Sequence, residues 1–258
     1  MNRIKNLFAE KGDRRVLSIY FTAGYPTLDS TLDIAEALEN AGADFLEIGF
    51  PYSDPVADGP VIQHSSEVAL RNGMTLDVLF DQLKDLRKRV SIPVLLMGYV
   101  NPVLQYGVED FCKACQSVGV DGAIVPDLPM YEYETHYRSV FNTHGLSNIF
   151  LVTPQTSEER IRKIDGLSTG FIYLLSSSAT TGKNLAVSEN TESYFSRIAA
   201  MDLENPTVIG FGISNHDTFV HATDHADGAI VGSAFVKLLG NADYHAKIAP
   251  FIQQLKKG

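Results

Sequence analysis

DFLEIGFPYSDPVADGP, residues 44–60, joins a strand to a loop in one stretch. Its first part, from Phe45 to Phe50, is apolar on both faces apart from a single acid, Glu47. A strand apolar on both faces belongs in a parallel sheet covered on both sides, because only there do both rows of side chains leave water. The remainder is stiffened by Pro51, Pro55 and Pro60 and carries a second acid, Asp58, beside Gly59.

The same signature recurs on either side of this stretch. Apolar runs occupy residues 17–24 (LSIYFTAG), 92–99 (IPVLLMGY), 122–127 (GAIVPD) and 148–154 (NIFLVTP). Three more lie at 171–177 (FIYLLSS), 207–212 (TVIGFG) and 228–233 (GAIVGS). Segments of helical period separate them, among them TLDIAEALENAG (31–42) and TLDVLFDQLKDLRKRV (75–90). Capping signals open several helices: Thr156 with Glu159, and Ser214 with Asp217. Eight strand–helix units in 258 residues predict an α/β fold of the closed (β/α)8 TIM-barrel type, which commonly takes roughly 250 residues. The whole chain, 1–258, then reads as one domain, since no linker or composition shift divides it. An extra N-terminal helix carries Ile4, Leu7 and Phe8 on one face. DGAIV occurs at both 121–125 and 227–231, as strands four and eight. No G-x-G-x-x-G follows the first strand, which removes the main reason to prefer a dinucleotide fold.

Alternation along strand two puts Leu46, Ile48 and Phe50 on one face and Phe45, Glu47 and Gly49 on the other. The more apolar set faces the helices, so Glu47 points into the barrel, near the C-terminal rim where such barrels keep their chemistry. Burial raises a carboxyl pKa toward neutrality, which suits a group that both gives and takes a proton. The competing reading is a Glu satisfied by a buried Arg or by backbone amides. Arg71, Arg87, Arg89, Arg138, Arg160, Arg162 and Arg197 all fall on or beside helices. Asp58 sits in the loop above the same strand, as a second functional acid or as half of an ordinary Asp-Gly turn. Asp127, after strand four, is the only further acid so placed.

Three late loops are rich in Gly, Ser and Thr: SSSATTGKN after strand six, GFGIS after strand seven and GSAFV after strand eight. Barrels often hold a phosphate between the last two loops and a short helix, where glycines let backbone N–H groups approach an anion. Gly182, Gly212, Gly232 and Ser233 are the candidate donors, with Lys183 as an added charge or a solvated loop lysine.

Several chemistries fall away. A Schiff-base aldolase needs a lysine inside the barrel, yet Lys84, Lys88, Lys113, Lys163 and Lys237 fall in helical segments. A metal enzyme would draw His or Asp from several strand ends, and His64, His136, His144, His216, His221, His225 and His245 all lie outside the strands. No metal ligand set is therefore assigned, and the i, i+4 pair His221 and His225 reads as helix surface. Cys112 and Cys115, in DFCKACQSVG, read as buried positions of a helix rather than a redox or zinc pair. A net charge of −10 argues against a sequence-independent grip on nucleic acid or an anionic membrane. No signal-like or membrane-spanning apolar run is present, so the cytoplasm is the expected compartment. Carboxylate acid–base catalysis on a small phosphorylated molecule remains.

FLEIGFPYSDPVADGPVIQ closely resembles the signature of the tryptophan synthase alpha chain family, a strand-two Glu followed by P-[FY]-S-D-P-x-A-D-G-P. The likeness runs the length of the chain, through YFTAGYP, LMGYVNPV, VPDLP, TTG, GFGIS and GSAFVK. It implies retro-aldol cleavage of indole-3-glycerol phosphate to indole and glyceraldehyde 3-phosphate, a lyase reaction of tryptophan biosynthesis. By motif, Glu47 would protonate indole C3 and take the glycerol hydroxyl proton, and Asp58 would hold the indole N–H. Tyr20, Met97, Tyr173 and Ile230 match the pocket, and Thr181 the loop-six contact to Asp58. Gly182, Gly212, Gly232 and Ser233 match the phosphate cradle. The resemblance further implies a beta-chain partner in an alpha2beta2 heterotetramer, contacted near Asp54, Asn101 and Pro102. Pyridoxal phosphate would belong to that partner, with no cofactor in this chain. Loop six departs from the family run S-R-x-G-V-T-G by Ser177 and Ala179. Two alternatives share the scaffold: a stand-alone indole-3-glycerol phosphate lyase, and a catalytically silent phosphate-binding barrel subunit.

Overall fold

The eight apolar runs form eight parallel strands. They are β1 (Val16–Thr22), β2 (Phe45–Gly49), β3 (Val94–Met97), β4 (Gly122–Ile124), β5 (Ser147–Val152), β6 (Ile172–Leu175), β7 (Thr207–Gly210) and β8 (Gly228–Val231). The computed structural model of the chain describes residues 2–176 and 189–258. Each strand pairs with its neighbour in sequence, and β8 closes back on β1, giving the expected barrel. Every strand ends before its apolar run does. The leftover residues that are described become the first positions of the loops at the C-terminal rim.

Alternation splits the apolar residues into two cores. Leu46, Ile48 and Phe50 join the layer between barrel and helices, while Phe45, Leu95, Ile124, Val208 and Ile230 fill the barrel itself. The N-terminal helix, Arg3–Glu10, is capped by Asn2 and buries Ile4 in that inner core. Phe8 packs against Phe45 and Phe171 with ring centroids 6.4 and 6.1 Å apart, so the helix plugs the N-terminal end of the barrel. Among the described residues, the cavity inside the barrel lies at its C-terminal end.

The repeated DGAIV has a structural meaning at its first residue. Asp121 accepts the backbone N–H of Val94, at the start of β3, and Asp227 accepts that of Thr207, at the start of β7. Asp44, just before β2, does the same for Leu17 in β1. A strand's first N–H groups lack ladder partners, and a carboxylate from the next strand satisfies them. Arg3 and Arg87 both pair with Asp121, at 2.8 and 2.6 Å, which fixes this acid at the plugged end.

Two helix starts differ from expectation by one residue. Ser157, not Thr156, caps the helix Glu158–Leu167, because the Thr156 hydroxyl already accepts the N–H of Thr153. The helix His216–His225 starts from Asn215, whose amide oxygen and Thr218 form the capping box in place of Ser214 and Asp217. The segment 75–90 is helical as expected but broken, with a 3-10 turn at Leu83–Asp85. Nothing in its residues explains the break. Cys112 and Cys115 lie buried in the helix Val108–Val118. Burial pushes the Cys112 thiol up to about 12, so it stays protonated and inert.

Candidate active site

Glu47 occupies the middle of β2, in register with Tyr20 of β1 and Leu95 of β3. It is wholly buried, and among the described residues neither carboxylate oxygen has a hydrogen-bond partner. No arginine satisfies it. Arg87, the most buried candidate, spends its donors on Asp121 and on the carbonyls of Val90, Ile92 and Gly119 at the plugged end. Burial alone pushes the Glu47 carboxyl up to about 8. An unpaired buried acid is costly to keep, and the neutral form is the way it persists.

Asp58 reaches the same space from the loop above β2. Its backbone N–H closes a turn onto the Pro55 carbonyl at 3.0 Å, and Gly59 and Pro60 then open the helix Pro60–Arg71. The turn is thus Pro55–Asp58, with Gly59 extended as the cap of the next helix, so the Asp-Gly pair does not itself make a turn, and the Asp58 side chain is left to face the cavity. Burial raises the Asp58 carboxyl to about 6, against a hydrogen bond from the Tyr99 hydroxyl (3.3 Å) that lowers it. The Tyr99 oxygen also accepts the N–H of Ala57 at 3.0 Å, which ties the loop to the end of β3.

One cavity of about 270 Å³ collects Glu47, Asp58, Tyr20, Met97, Tyr173, Ile230, Gly212, Gly232 and Ser233. These are all the expected catalytic, pocket and phosphate residues that are described. Thr181 and Gly182, with Lys183, Ser177 and Ala179, lie outside the described residues. Two glycines make room for the aromatic walls. A Cβ on Gly49 would stand 2.2 Å from the Tyr20 hydroxyl, and one on Gly210 would stand 2.1 Å from the Tyr173 hydroxyl. Desolvation, with the nearby acids, raises both phenols, so they remain neutral donors beside Glu47.

At the other end of the cavity the chain turns sharply after β7. Phe211 and Gly212 both adopt the left-handed region, at φ 73° and 78°. That conformation is strained for phenylalanine. The Ser176 hydroxyl holds it by donating to the Phe211 carbonyl at 2.7 Å. Opposite, Gly232 precedes the helix Ser233–Leu239.

Three contributors were not anticipated. Tyr99 and Phe211 stand just beyond the strands, and a polar aromatic ending the run IPVLLMGY was the available signal for Tyr99. Lys237 does lie on a helix, as its period indicated, but one turn after Ser233, so it borders the cavity near the Gly232 end. Asp127, the further rim acid, accepts the N–H of Val100 at 2.8 Å and so serves the start of the helix Val100–Tyr106. It does not border the main cavity.

A second hollow of about 510 Å³ meets the first at Tyr20, Asp58, Met97 and Phe211 and opens past Tyr52, Pro55 and Tyr99. Asp54 and Asn101 are exposed on the same side and Pro102 is half-exposed. Val56 there is 81 % exposed, an apolar side chain left in water. His221 and His225, expected on the surface, are instead half-buried against Glu192. Among the described residues these three form the only group able to hold a metal, and it lies outside both hollows.

The comparisons with known proteins bear on the whole chain. The family model described as tryptophan synthase alpha chain matches residues 7–257. The chain belongs to the tryptophan synthase alpha chain family. Members of this family are carbon–carbon lyases that cleave indole-3-glycerol phosphate. The tryptophan synthase alpha chain of Flavobacterium psychrophilum is 56% identical over 239 residues, 93% of this chain and 94% of that protein. That of Christiangramia forsetii is 52% identical over 256 residues, 99% of each. Among solved structures, tryptophan synthase subunit alpha from Legionella pneumophila superposes with a TM-score of 0.90 at 32% identity, covering 100% of this chain and 98% of that one. A chain of Mycobacterium tuberculosis tryptophan synthase gives 0.89 at 31% identity, with 99% and 97% covered. Membership in this family implies a beta-chain partner.

Proposed function

We propose that the chain cleaves indole-3-glycerol phosphate with Glu47 as both acid and base and Asp58 as the anchor of the indole ring. The observation that carries the proposal is the pair of carboxyls in one cavity, with Glu47 raised to about 8 and Asp58 to about 6. Environments that push two acids apart in this way assign them different roles. At neutral pH, Glu47 holds its proton and Asp58 is mostly ionised.

The reaction then balances on one proton. Glu47 gives its proton to indole C3, and the ring nitrogen takes the positive charge of an iminium ion. The Asp58 carboxylate accepts the indole N–H and offsets that charge. The bond between C3 and the glycerol carbon breaks, its electrons return to the ring, and the hydroxyl on that carbon becomes the aldehyde. Its proton passes to Glu47, which ends as it began. Once protonated, the indole ring is its own electron sink, and the step calls on no cofactor from this chain.

Tyr20, Met97, Tyr173 and Ile230 would flank the indole and glycerol. Gly212, Gly232 and Ser233 would present backbone N–H groups to the phosphate, with Lys237 as the cation at the rim. The Val56 face, with Asp54, Asn101 and Pro102, is the proposed contact for the beta chain in an alpha2beta2 assembly. The second hollow would be the way out for indole toward it. Pyridoxal phosphate would reside in that partner. We take the chain as one domain acting in the cytoplasm; no helix among the described residues is long and apolar enough to cross a membrane.

The test is the pH dependence of kcat/KM for indole formation. A bell is expected, with its acid limb near 6 from Asp58 and its alkaline limb near 8 from Glu47. Asp58→Asn should remove the acid limb. A profile flat from pH 5 to 9 would sink the assignment.

A further inference from the structure

The group formed by Glu192, His221 and His225 is separate from the cavity and takes no part in the proposed reaction. Glu192 lies one turn into the helix after β6 (Glu189–Ala199), and both histidines lie on the helix after β7 (His216–His225). Histidines four residues apart share a helix face, so their rings converge on one point. Here the ring centroids are 5.2 Å apart, and His225 is stacked on buried Phe195 at 5.4 Å, which fixes its orientation. Both Nε2 atoms turn toward the same carboxylate from the neighbouring helix. His221 Nε2 is 3.1 Å from Glu192 Oε1, and His225 Nε2 is 3.3 Å from Oε2.

Simple ion pairing does not account well for this arrangement. His221 Nε2 and Glu192 Oε1 are shielded from water and lie at contact distance, yet they lack the alignment of a hydrogen bond. Two lone-pair atoms held face to face, out of water and unbonded, suit a cation placed between them. Metal–ligand bonds of about 2.0–2.1 Å in a tetrahedron separate neighbouring ligand atoms by about 3.3 Å. One ligand atom from each of the three residues can be chosen so that all lie within 4.8 Å of one another.

We propose that Glu192, His221 and His225 bind one divalent transition-metal ion of the zinc class and so tie the helix after β6 to the helix after β7. Two imidazoles and one carboxylate are the donor set that zinc takes when it keeps a fourth position for water. The three side chains are 39%, 23% and 25% exposed, so the group lies just beneath the surface, with its facing ligand atoms Glu192 Oε1 and His221 Nε2 screened from water.

The untagged full-length chain, freed of metal with a chelator, is titrated with Zn²⁺ by calorimetry and with Co²⁺ by visible absorption. One equivalent of Zn²⁺ per chain is expected, together with the intense visible bands of four-coordinate Co²⁺. His221→Gln and His225→Gln should each weaken Zn²⁺ binding at least ~100-fold, and Glu192→Gln ~10-fold or more. His136→Gln, an exposed position elsewhere, should bind as wild type does. Zn²⁺ should raise the melting temperature of the wild type and not of the His225→Gln chain, since a ligand of the folded state alone stabilises it. Glu192→Gln keeps the side chain's shape, so its loss of affinity with an unchanged metal-free melt separates ligation from folding. Absence of one-equivalent binding, or binding that survives all three substitutions, would overturn the proposal and leave the trio as a simple packing contact between the two helices.

Discussion

A carboxyl that is buried without a partner couples the stability of the whole chain to pH. The Glu47 carboxyl titrates at about 8 in the folded chain, against 4.5 when free. Below the free value both states hold the proton and the contribution to stability is complete. Between the two values the unfolded chain releases a proton that the folded chain keeps, so stability falls as pH rises, levelling above the folded value. Replacing Glu47 by Gln removes this slope. Urea unfolding of both chains at pH 5, 6.5 and 8 should show the wild type losing a few kcal/mol relative to Glu47→Gln across that span. Parallel curves would mean that Glu47 is ionised in the folded state and would contradict its role as the acid. Asp58 loses stability over a lower window, between 3.8 and about 6, and does so in both chains.

Among the elements, the barrel strands were the most legible, because burial on both faces leaves an unmistakable run of apolar residues. The inward direction of Glu47 followed from alternation alone. Helix starts were less legible: Ser157 and Thr156 are chemically alike, and only the turn at Thr153 decides which hydroxyl is free to cap. Tyr99, Phe211 and Lys237 escaped because Phe211 and Lys237 reach the cavity, and Tyr99 reaches Asp58, through the geometry of a loop or a helix end, which has no period to read. Close packing at glycine was hidden for a similar reason, since a missing side chain does not say what fills its place. Gly210→Ala sets a methyl against the Tyr173 hydroxyl. It should cost ~1–3 kcal/mol in stability by overpacking and lower kcat/KM further by displacing a cavity wall. Gly166→Ala, late in the helix Glu158–Leu167 with open space around it, should be neutral or stabilise by up to about 1 kcal/mol. Thermal melts and indole formation measured on both chains check the contrast; equal effects would discount the Tyr173 packing.

At the level of the whole molecule, the barrel divides labour between its ends. The N-terminal end is sealed by the helix Arg3–Glu10 and locked by the Asp121 ion pairs, and it holds the strands in register. The C-terminal end carries both acids, and its cavity meets the second hollow, which is lined by Pro55 and Ala57 on either side of the exposed Val56. The direct measurement is indole formation from indole-3-glycerol phosphate by the wild type alone, by the wild type with a tryptophan synthase beta chain, and by Glu47→Gln with the same beta chain. Slow release alone, strong acceleration by the beta chain, and a loss on the order of 10²–10⁴-fold in Glu47→Gln are predicted. Indole release by Glu47→Gln within a few-fold of the wild type would contradict the account at its centre.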